Sequence, residues 1–206
     1  MEDVRDLKAL QLDALREVAN IGAGHAATAL SQMTNRTIMI NVPEVNVLAL
    51  EDVSELLGRA DEIVAAVLMH MMGDLTGRTL VLFPEGSAKN LCDILFRKPT
   101  GTTTEFGVME QSGLKEAGNI LASAYLNALS DFMGMMLVPS VPSLVVDLSA
   151  AVLTTAYLNF GHDRDYVFCV ETSFRVEGAT EPLRGHFLLL PDMPSLRAIF
   201  DAIRLH

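Results

Sequence analysis

Two long stretches of the chain carry apolar residues at helical spacing, and each is followed by a strand-like run. We predict helices over about Asp6–Met33 and Glu105–Phe132. The runs that follow, Thr37–Leu50 and Met136–Val146, are rich in β-branched and aliphatic residues and predict strands. Each strand has a proline near its middle, which requires an edge position or a bulge.

A short helix, a two-stranded hairpin and a closing helix complete each half of the chain. The ranges are Val53–Leu57, Val64–Met72, Arg78–Phe83 and Ser87–Phe96 in the first half, and Leu148–Leu158, Tyr166–Phe174, Arg184–Leu190 and Pro194–Ile203 in the second. Hairpins or short helices join the strands of a half. We therefore predict an α+β fold in which helices cover a mostly antiparallel six-stranded sheet.

Residues of the first half recur in the second half, 99 positions later. Leu15, Glu17, Asn20, Ile21, Ala23, Ala29, Leu30 and Ser31 recur as Leu114, Glu116, Asn119, Ile120, Ala122, Ala128, Leu129 and Ser130, and Val42-Pro43 recurs as Val141-Pro142. An internal repeat of this kind indicates fused copies of one unit. We predict one domain over residues 1–206, formed by two α-β-α-β-β-α repeats (about 1–98 and 105–206) with pseudo-twofold symmetry.

On a helical wheel, each long helix has an apolar stripe opposite a polar face. The stripes are Leu12, Leu15, Ala19, Gly22, Ala26 and Leu30 in the first helix, and Leu114, Gly118, Leu121 and Tyr125 in the second. The polar faces are Asp13, Glu17, Asn20, Gly24 and Ala27, and Ser112, Glu116, Asn119 and Ser123. We predict that both Glu-x-x-Asn pairs face solvent, and that the small residues beyond each Asn let another protein approach.

A single Glu-x-x-Asn on a helix surface is common and usually only solvated, and a second copy can be inherited neutrally. Two observations favour a function. Asn is a poor helix former, yet it lies in the middle of both helices. Neighbouring positions have diverged, with Arg16 replaced by Lys115 and His25 by Ala124, whereas the Glu and Asn are unchanged.

The carboxamide of Asn suits one chemical task. It takes no proton at ordinary pH, so it is not a general base. It carries both a donor and an acceptor and can hold a water in one orientation, as a Gln does in small GTPases. The Glu carboxylate can pair with a cation of a partner.

The sequence predicts no metal site and no bound cofactor. Gly22-Ala23-Gly24 lies inside a helix and lacks the lysine of a phosphate-binding loop. The five histidines, at positions 25, 70, 162, 186 and 206, lack metal-ligand spacing. Any metal in the reaction is therefore expected on the partner.

The composition of the chain argues against several classes of binding partner. The net charge of −11 argues against nucleic acid and against an anionic membrane. The charged N-terminus is unlike a secretory signal, and no apolar run reaches the roughly 20 residues of a membrane span. Cys92 and Cys169 lie in apolar runs and are expected as buried thiols in a reducing compartment. We expect a soluble, cytoplasmic protein.

The doubled pattern Asp/Ser-x3-Glu-x2-Asn-x22-Pro resembles the signature of the CheC/CheX/FliY family of chemotaxis phosphatases. It consists of Asp13, Glu17, Asn20 and Pro43, and again of Ser112, Glu116, Asn119 and Pro142. The resemblance extends over essentially the whole chain. Two motifs without an additional flagellar-switch domain are similar to the CheC type, for which a monomer is expected.

This resemblance implies hydrolysis of the aspartyl phosphate of a CheY-type response regulator, which holds its own Mg²⁺ beside the phosphoaspartate. Asn20 and Asn119 would position the attacking water, and Glu17 and Glu116 would pair with a lysine of the regulator. The resemblance also implies a contact with the receptor deamidase CheD, at the helix opened by Asp147.

Two other functions stay open. The chain could be an adaptor that binds a response regulator or CheD without turnover, although an adaptor has no need of the amide. An unrelated hydrolase with paired carboxylates or a metal would need a cluster that the sequence lacks. The sequence does not identify the response regulator, rank the two sites or distinguish flagellar motility from another two-component pathway.

Overall fold

The computed structural model describes residues 9–49, 52–53, 61–158, 166–177 and 182–204. Within these ranges there are five helices and eight strands. In chain order they are α1 (Ala9–Thr34), β1 (Ile38–Ile40), β2 (Glu44–Ala49), β3 (Ile63–Gly73), β4 (Gly77–Pro84), α2 (Glu85–Leu95), α3 (Val108–Met133), β5 (Leu137–Pro139), β6 (Ser143–Leu148), α4 (Ser149–Leu158), β7 (Tyr166–Val176), β8 (Leu183–Pro191) and α5 (Met193–Arg204).

The sheet contains eight strands, so the prediction of six is wrong. Its order is β1-β7-β8-β4-β3-β5, with β2 also on β7 and β6 also on β3, and all pairs are antiparallel. The difference arises because each proline-containing strand is divided in two. Proline has no N–H to donate to a ladder, so the pairing stops and restarts around it.

Each division is a one-residue bulge at a sheet edge. Ile40 pairs with Phe174 and Glu44 pairs with Glu171, so four steps along the edge strand match three steps along β7. The other edge repeats this arrangement, because Pro139 pairs with Met71 whereas Ser143 pairs with Leu68. An unmatched residue of this kind bends a strand and increases its twist. The prediction of an edge position or a bulge is confirmed, and both occur.

The two halves of the chain are joined through the sheet. The edge strand of the first half, β1 with β2, pairs with β7 of the second half, and β5 with β6 pairs with β3 of the first. The central contact is between β4 and β8. Neither half therefore completes its sheet alone.

Several predicted features fall outside the described residues. For the short helix predicted at Val53–Leu57, only Val53 is described, and it is helical and fully buried. The start of the first helix, the end of its strand at Leu50, most of the second hairpin's turn and the histidines at 162 and 206 also lie outside them. The side chain of Leu12 is likewise outside the description.

Apolar side chains are buried on both faces of the sheet. On one face, α1, α2, α3 and α5 cover a core that includes Leu30, Val67, Phe83, Leu126 and Ile199. On the other face, Val152 and Leu153 of α4 pack with Val53 over Leu80 and Leu188. No helix in the described part of the chain is long and apolar enough to cross a membrane.

Two glycines set how closely the long helices approach their neighbours. A Cβ on Gly22 of α1 would lie 2.7 Å from Cδ1 of Tyr125 and 3.0 Å from its Cα. A Cβ on Gly118 of α3 would lie 2.6 Å from Cβ of Val67 in β3. Nonbonded contacts of a Cβ shorter than 3.0 Å essentially never occur in proteins. The two glycines therefore let α1 lie directly against α3, and α3 directly on the sheet.

Candidate functional site

The outer face of α1 presents the first predicted site. Asp13, Glu17 and Asn20 are exposed, as is Gly24 one turn further on. The predicted stripe on the opposite side is buried at Leu15, Ala19, Gly22, Ala26 and Leu30. Glu17 and Asn20 are three residues apart and are therefore neighbours on the helix surface.

The second predicted site lies on α3 and is less open. Ser112 and Glu116 are exposed, whereas Asn119 and Ser123 are half-buried. The stripe at Leu114, Gly118, Leu121 and Tyr125 is buried. In this part of the fold α3 contacts α1, α2, α5 and strands β3 to β6.

The Glu and Asn side chains of both sites are available to a partner. Among the described residues, none hydrogen-bonds or pairs with the side chains of Glu17, Asn20, Glu116 or Asn119. Asp13 differs, because its carboxylate accepts a hydrogen bond from Arg16 at 2.9 Å in an exposed ion pair. Such a pair adds little stability, so Asp13 can exchange partners easily.

The strand that carries the proline of the first motif runs back along α1 toward Asn20, although 22 residues separate Asn20 and Pro43. The Ser31 hydroxyl accepts a hydrogen bond from the Ile38 N–H at 2.9 Å and so fixes the end of α1 to β1. Asn20 lies eleven helical residues before Ser31, about 16 Å, and Pro43 lies five residues beyond Ile38, at the bulge between β1 and β2. The chain therefore runs back from the end of α1 in the direction of Asn20.

A small cavity supports this placement. Val45 of β2 and the α1 residues Leu15, Val18 and Ala19 line the same apolar space of about 40 Å³. The strand is thus level with residues 15–19 of the helix two positions after Pro43. In the other half, α3 contacts both β5 and β6, and Leu144, the counterpart of Val45, packs against the same core.

A buried carboxylate that the sequence analysis missed holds the segment before α3. Asp93 of α2 is 2% exposed. It accepts hydrogen bonds from the N–H groups of Gly101, Thr102 and Thr103 and from the Thr103 hydroxyl, at 2.6 to 3.1 Å. Burial alone would raise the pKa of Asp93, but these hydrogen bonds outweigh it and lower the pKa.

Two further hydrogen bonds involve residues in the first turn of α3. Lys98 donates to the carboxylate of Glu110 at 2.8 Å, and the Gln111 side chain donates to the carbonyl of Phe106 at 2.9 Å. The hydrogen bond raises the pKa of Lys98 and lowers that of Glu110. The segment between α2 and the helix that carries Glu116 and Asn119 is thus held by polar contacts at both of its ends.

Asp147 does not open a helix, so that prediction is wrong. It lies in β6, because Asp147 pairs with Val64 and Leu148 pairs with Ile63, and α4 begins only at Ser149. The Asp147 carboxylate is exposed and accepts a hydrogen bond from the Leu148 N–H at 2.7 Å. Its role in binding CheD stays a prediction.

Cys92, Cys169 and His186 are buried away from the two Glu-Asn pairs' exposed helix faces. Both cysteines are free and buried, and desolvation is the main cause that raises the pKa of each thiol to about 12. His186 is also buried, and desolvation lowers its pKa despite Glu171 at 3.9 Å. In the described ranges, no group of three or more His, Cys, Asp or Glu side chains could hold a metal ion.

Comparison with known families agrees with the position of the two motifs. A model of the CheC-like family matches residues 10–47 and 109–146, which include both Glu-x-x-Asn pairs and both prolines. The two matched segments begin 99 residues apart.

Known proteins resemble the chain over nearly its full length. The CheY-P phosphatase CheC of Bacillus subtilis (strain 168) is 36% identical over 199 residues, which cover 96% of this chain and 95% of that protein. The crystal structure of FliY from Thermotoga maritima superposes with a TM-score of 0.75 at 19% identity, covering 97% of this chain and 98% of the chain in that structure. A structure of the FliG–FliM complex from H. pylori matches with a TM-score of 0.67 at 14% identity, covering 95% and 100%. The two structural matches establish the fold alone.

Proposed function

The chain belongs to the CheC-like family, and we propose that it hydrolyses the aspartyl phosphate of a phosphorylated CheY-type response regulator in chemotaxis signalling. The observation that carries this conclusion is the full-length relationship, at 36% identity, to a CheY-P phosphatase. The enzyme class is therefore a protein phosphatase, a hydrolase.

The Asn side chains are the proposed catalytic residues. Asn20 is exposed and Asn119 is half-buried, and neither has a hydrogen-bond partner among the described residues. Each carboxamide can therefore hold a water in line with the phosphorus atom of a docked partner. In-line placement of the nucleophile is a main requirement of phosphoryl transfer.

The acidic residues are proposed to align the partner. Glu17 and Glu116 lie one helical turn before each Asn and are exposed, so a lysine of the regulator can pair with them. The regulator's own Mg²⁺ would neutralise charge on the phosphoryl oxygens. On this proposal, the chain itself only positions the attacking water and the regulator.

The two sites are proposed to descend from one duplicated unit. In each half a long helix precedes two short edge strands, and the family model matches twice at the spacing of the sequence repeat. One chain would then carry two sites and act as a monomer. Its substrate is a cytoplasmic signalling protein, which implies a cytoplasmic location.

A CheD surface at the exposed Asp147 is also proposed, from the family resemblance alone. Replacing it by Lys inverts an exposed charge without disturbing the ladder between β6 and β3. We expect the Asp147→Lys variant to lose binding of CheD in a pull-down while it keeps phosphatase activity. Retained binding would exclude this residue from the surface.

Phosphate release from a purified, phosphorylated CheY-type regulator tests the main proposal. The chain should accelerate release well above the regulator's own rate, and the Asn20→Ala, Asn119→Ala double variant should not. Binding without acceleration would indicate an adaptor. Turnover of a small phosphate ester in the presence of EDTA would indicate an unrelated hydrolase.

A further inference from the structure

Each long helix contains a single Lys or Arg, and it occupies the same position in both halves. Among the 26 residues of α1 this residue is Arg16, and among the 26 residues of α3 it is Lys115. The two positions are 99 residues apart, which is the spacing of the repeat. The type of side chain has changed between the halves, but the positive charge has not.

Each cation lies beside a proposed catalytic Asn. Arg16 precedes Asn20 by four residues, and Lys115 precedes Asn119 by four. Residues four apart in an α-helix are neighbours on one face, with Cβ atoms about 5–6 Å apart. A helical side chain also leans over the turn that precedes its own Cα. The Asn amides therefore lie over the turns that carry the cations, within reach of a long basic side chain.

Both cations are available to an anion of a partner. The Arg16 side chain is 56% exposed and donates to the Asp13 carboxylate at 2.9 Å, in an exposed ion pair that adds little stability. Lys115 is half-buried, and within the described part of the chain no residue pairs with its ammonium group. The counterpart of Asp13 in the second half is Ser112, which carries no charge.

A phosphoryl group that docks at either Asn also approaches an acidic side chain. Glu17 and Glu116 are exposed one turn before the two Asn residues, and the whole chain has a net charge of −11. These negative charges repel a phosphoryl dianion unless a cation on the same helix face counteracts them. Arg16 and Lys115 are the Lys or Arg residues that α1 and α3 contain for this purpose.

On these grounds, and resting on the proposed function, we propose that Arg16 and Lys115 are catalytic residues that contact a non-bridging phosphoryl oxygen while the neighbouring Asn holds the water. Negative charge is spread over the equatorial oxygens in the transition state of phosphoryl transfer, and a cation placed there stabilises it. The chain then supplies a charge to the reaction in addition to the positioning proposed above.

The reaction at each site is a hydrolysis in which the cation is not consumed. The oxygen of the water bonds to phosphorus as the bond between phosphorus and the aspartyl oxygen breaks. The electron pair of the broken bond leaves with the aspartyl carboxylate. Both protons of the water remain on the released phosphate. The cation therefore needs neither to gain nor to lose a proton, which suits Arg and Lys equally.

Single-site chains allow each cation to be tested separately. Arg16→Gln is made in the Asn119→Ala background, where only the first site acts, and Lys115→Gln in the Asn20→Ala background. Gln keeps a long polar side chain and a good helix former but removes the charge. Arg16→Lys and Lys115→Arg keep the charge and change the shape.

Arg175→Gln, made in both backgrounds, is the matched control. Arg175 is an exposed cation of β7. Its neighbours Phe174 and Val176 are buried in the core beneath the long helices. Because successive side chains of a strand point to opposite faces, Arg175 lies on the face of the sheet away from both Asn residues.

The measurements are kcat and KM for phosphate release and the Kd for the regulator activated with beryllium fluoride. We expect each Gln variant at positions 16 and 115 to lower kcat about tenfold, less than a donor in a closed active site because the cation acts near water. The Kd should stay within about threefold of the parent, because the rest of the interface is unchanged. The charge-keeping variants and Arg175→Gln should keep kcat near that of the parent.

An unchanged kcat in either Gln variant would overturn the proposal. A rise in KM and Kd with unchanged kcat would overturn it too, because the cation would then only dock the regulator. The same applies if the charge-keeping variants lose as much kcat as the Gln variants, because the shape of the side chain would then be responsible. If the chain with both Asn residues intact released no phosphate, the proposed function itself would fail, and the proposal with it.

Discussion

Asn20 and Asn119 each follow a Glu by three residues and precede an Ile, but their surroundings in the fold differ. Asn20 is exposed and Asn119 is half-buried. A half-buried amide has fewer rotamers to lose when a partner docks, so less entropy opposes its ordering. On this ground we expect the second site to bind the regulator more tightly than the first.

The Glu and the Asn should have separable kinetic effects. In the Asn119→Ala background, Glu17→Ala removes the partner's ion pair, so KM should rise while kcat changes little. Asn20→Ala removes the group that orients the water, so kcat should fall by about 10²-fold, as for other positioned hydrogen-bonding groups in active sites. Steady-state phosphate release measures both. Equal losses of kcat in the two variants would contradict the assigned roles.

Gly22 and Gly24 lie in the same helix but should respond oppositely to alanine. A Cβ at Gly22 would overlap Tyr125, whereas a Cβ at Gly24 meets nothing within 4 Å. Gly22→Ala should therefore destabilise the protein by about 1–3 kcal/mol. Gly24→Ala should stabilise it by roughly 0.5–1 kcal/mol, because alanine is the better helix former. Urea unfolding measures both, and similar values for the two variants would contradict the close approach of α1 and α3.

The exposed positions of Glu17, Asn20 and Glu116 could be predicted because helical periodicity places them opposite an apolar stripe. The role of Asp93 could not be predicted. Its partners are N–H groups eight to ten residues later in a loop, and these leave no pattern of side chains in the sequence. The half-buried state of Asn119 depends on which helices lie beside α3, which a single helix does not reveal.

Asp93 should make the connection between α2 and α3 sensitive to acid. Its pKa is lowered in the folded protein, so its stabilising effect is complete at neutral pH and is lost as pH falls through the folded-state pKa. Asp93→Asn should cost about 2 kcal/mol at pH 7, the scale of hydrogen bonds to a charged group. The difference from wild type should shrink in acid.

Urea unfolding from pH 7 to pH 3 measures this dependence. The exposed Asp131 near the end of α3 provides the matched control, and Asp131→Asn should change stability by no more than about 0.5 kcal/mol. A constant difference between wild type and Asp93→Asn at every pH would show that the carboxylate charge is not what holds the loop.

Where the structure describes the end of a predicted helix, the observed end lies within about three residues of the prediction. The two predicted edge strands differ from the structure, because each is divided into two shorter strands. Their prolines were visible in the sequence, but a sequence does not show whether a proline is absorbed as a bulge inside one strand or divides it. That outcome depends on the register of the partner strand, here β7 or β3.

Across the whole protein, the two sites should act independently. They lie on different helices, and no side chain is shared between the two Glu-Asn pairs. Asn20→Ala and Asn119→Ala should each leave part of the activity, and the two residual rates should add up to about the wild-type rate. The double variant should lose nearly all activity. Most of the activity surviving in the double variant would show that the site assignment is wrong.

The edge strands of each half pair with a strand of the other half, and this pairing has a further consequence for folding. A polypeptide of residues 1–98 alone would leave β3 without a neighbour on one side, and residues 105–206 alone would leave β7 in the same state. A gene cut at the linker should therefore yield two fragments that are unstructured or aggregate when made separately, yet reconstitute when co-expressed. During synthesis the first half cannot complete its sheet until the second half has been translated. We therefore expect partly synthesised chains to depend on chaperones.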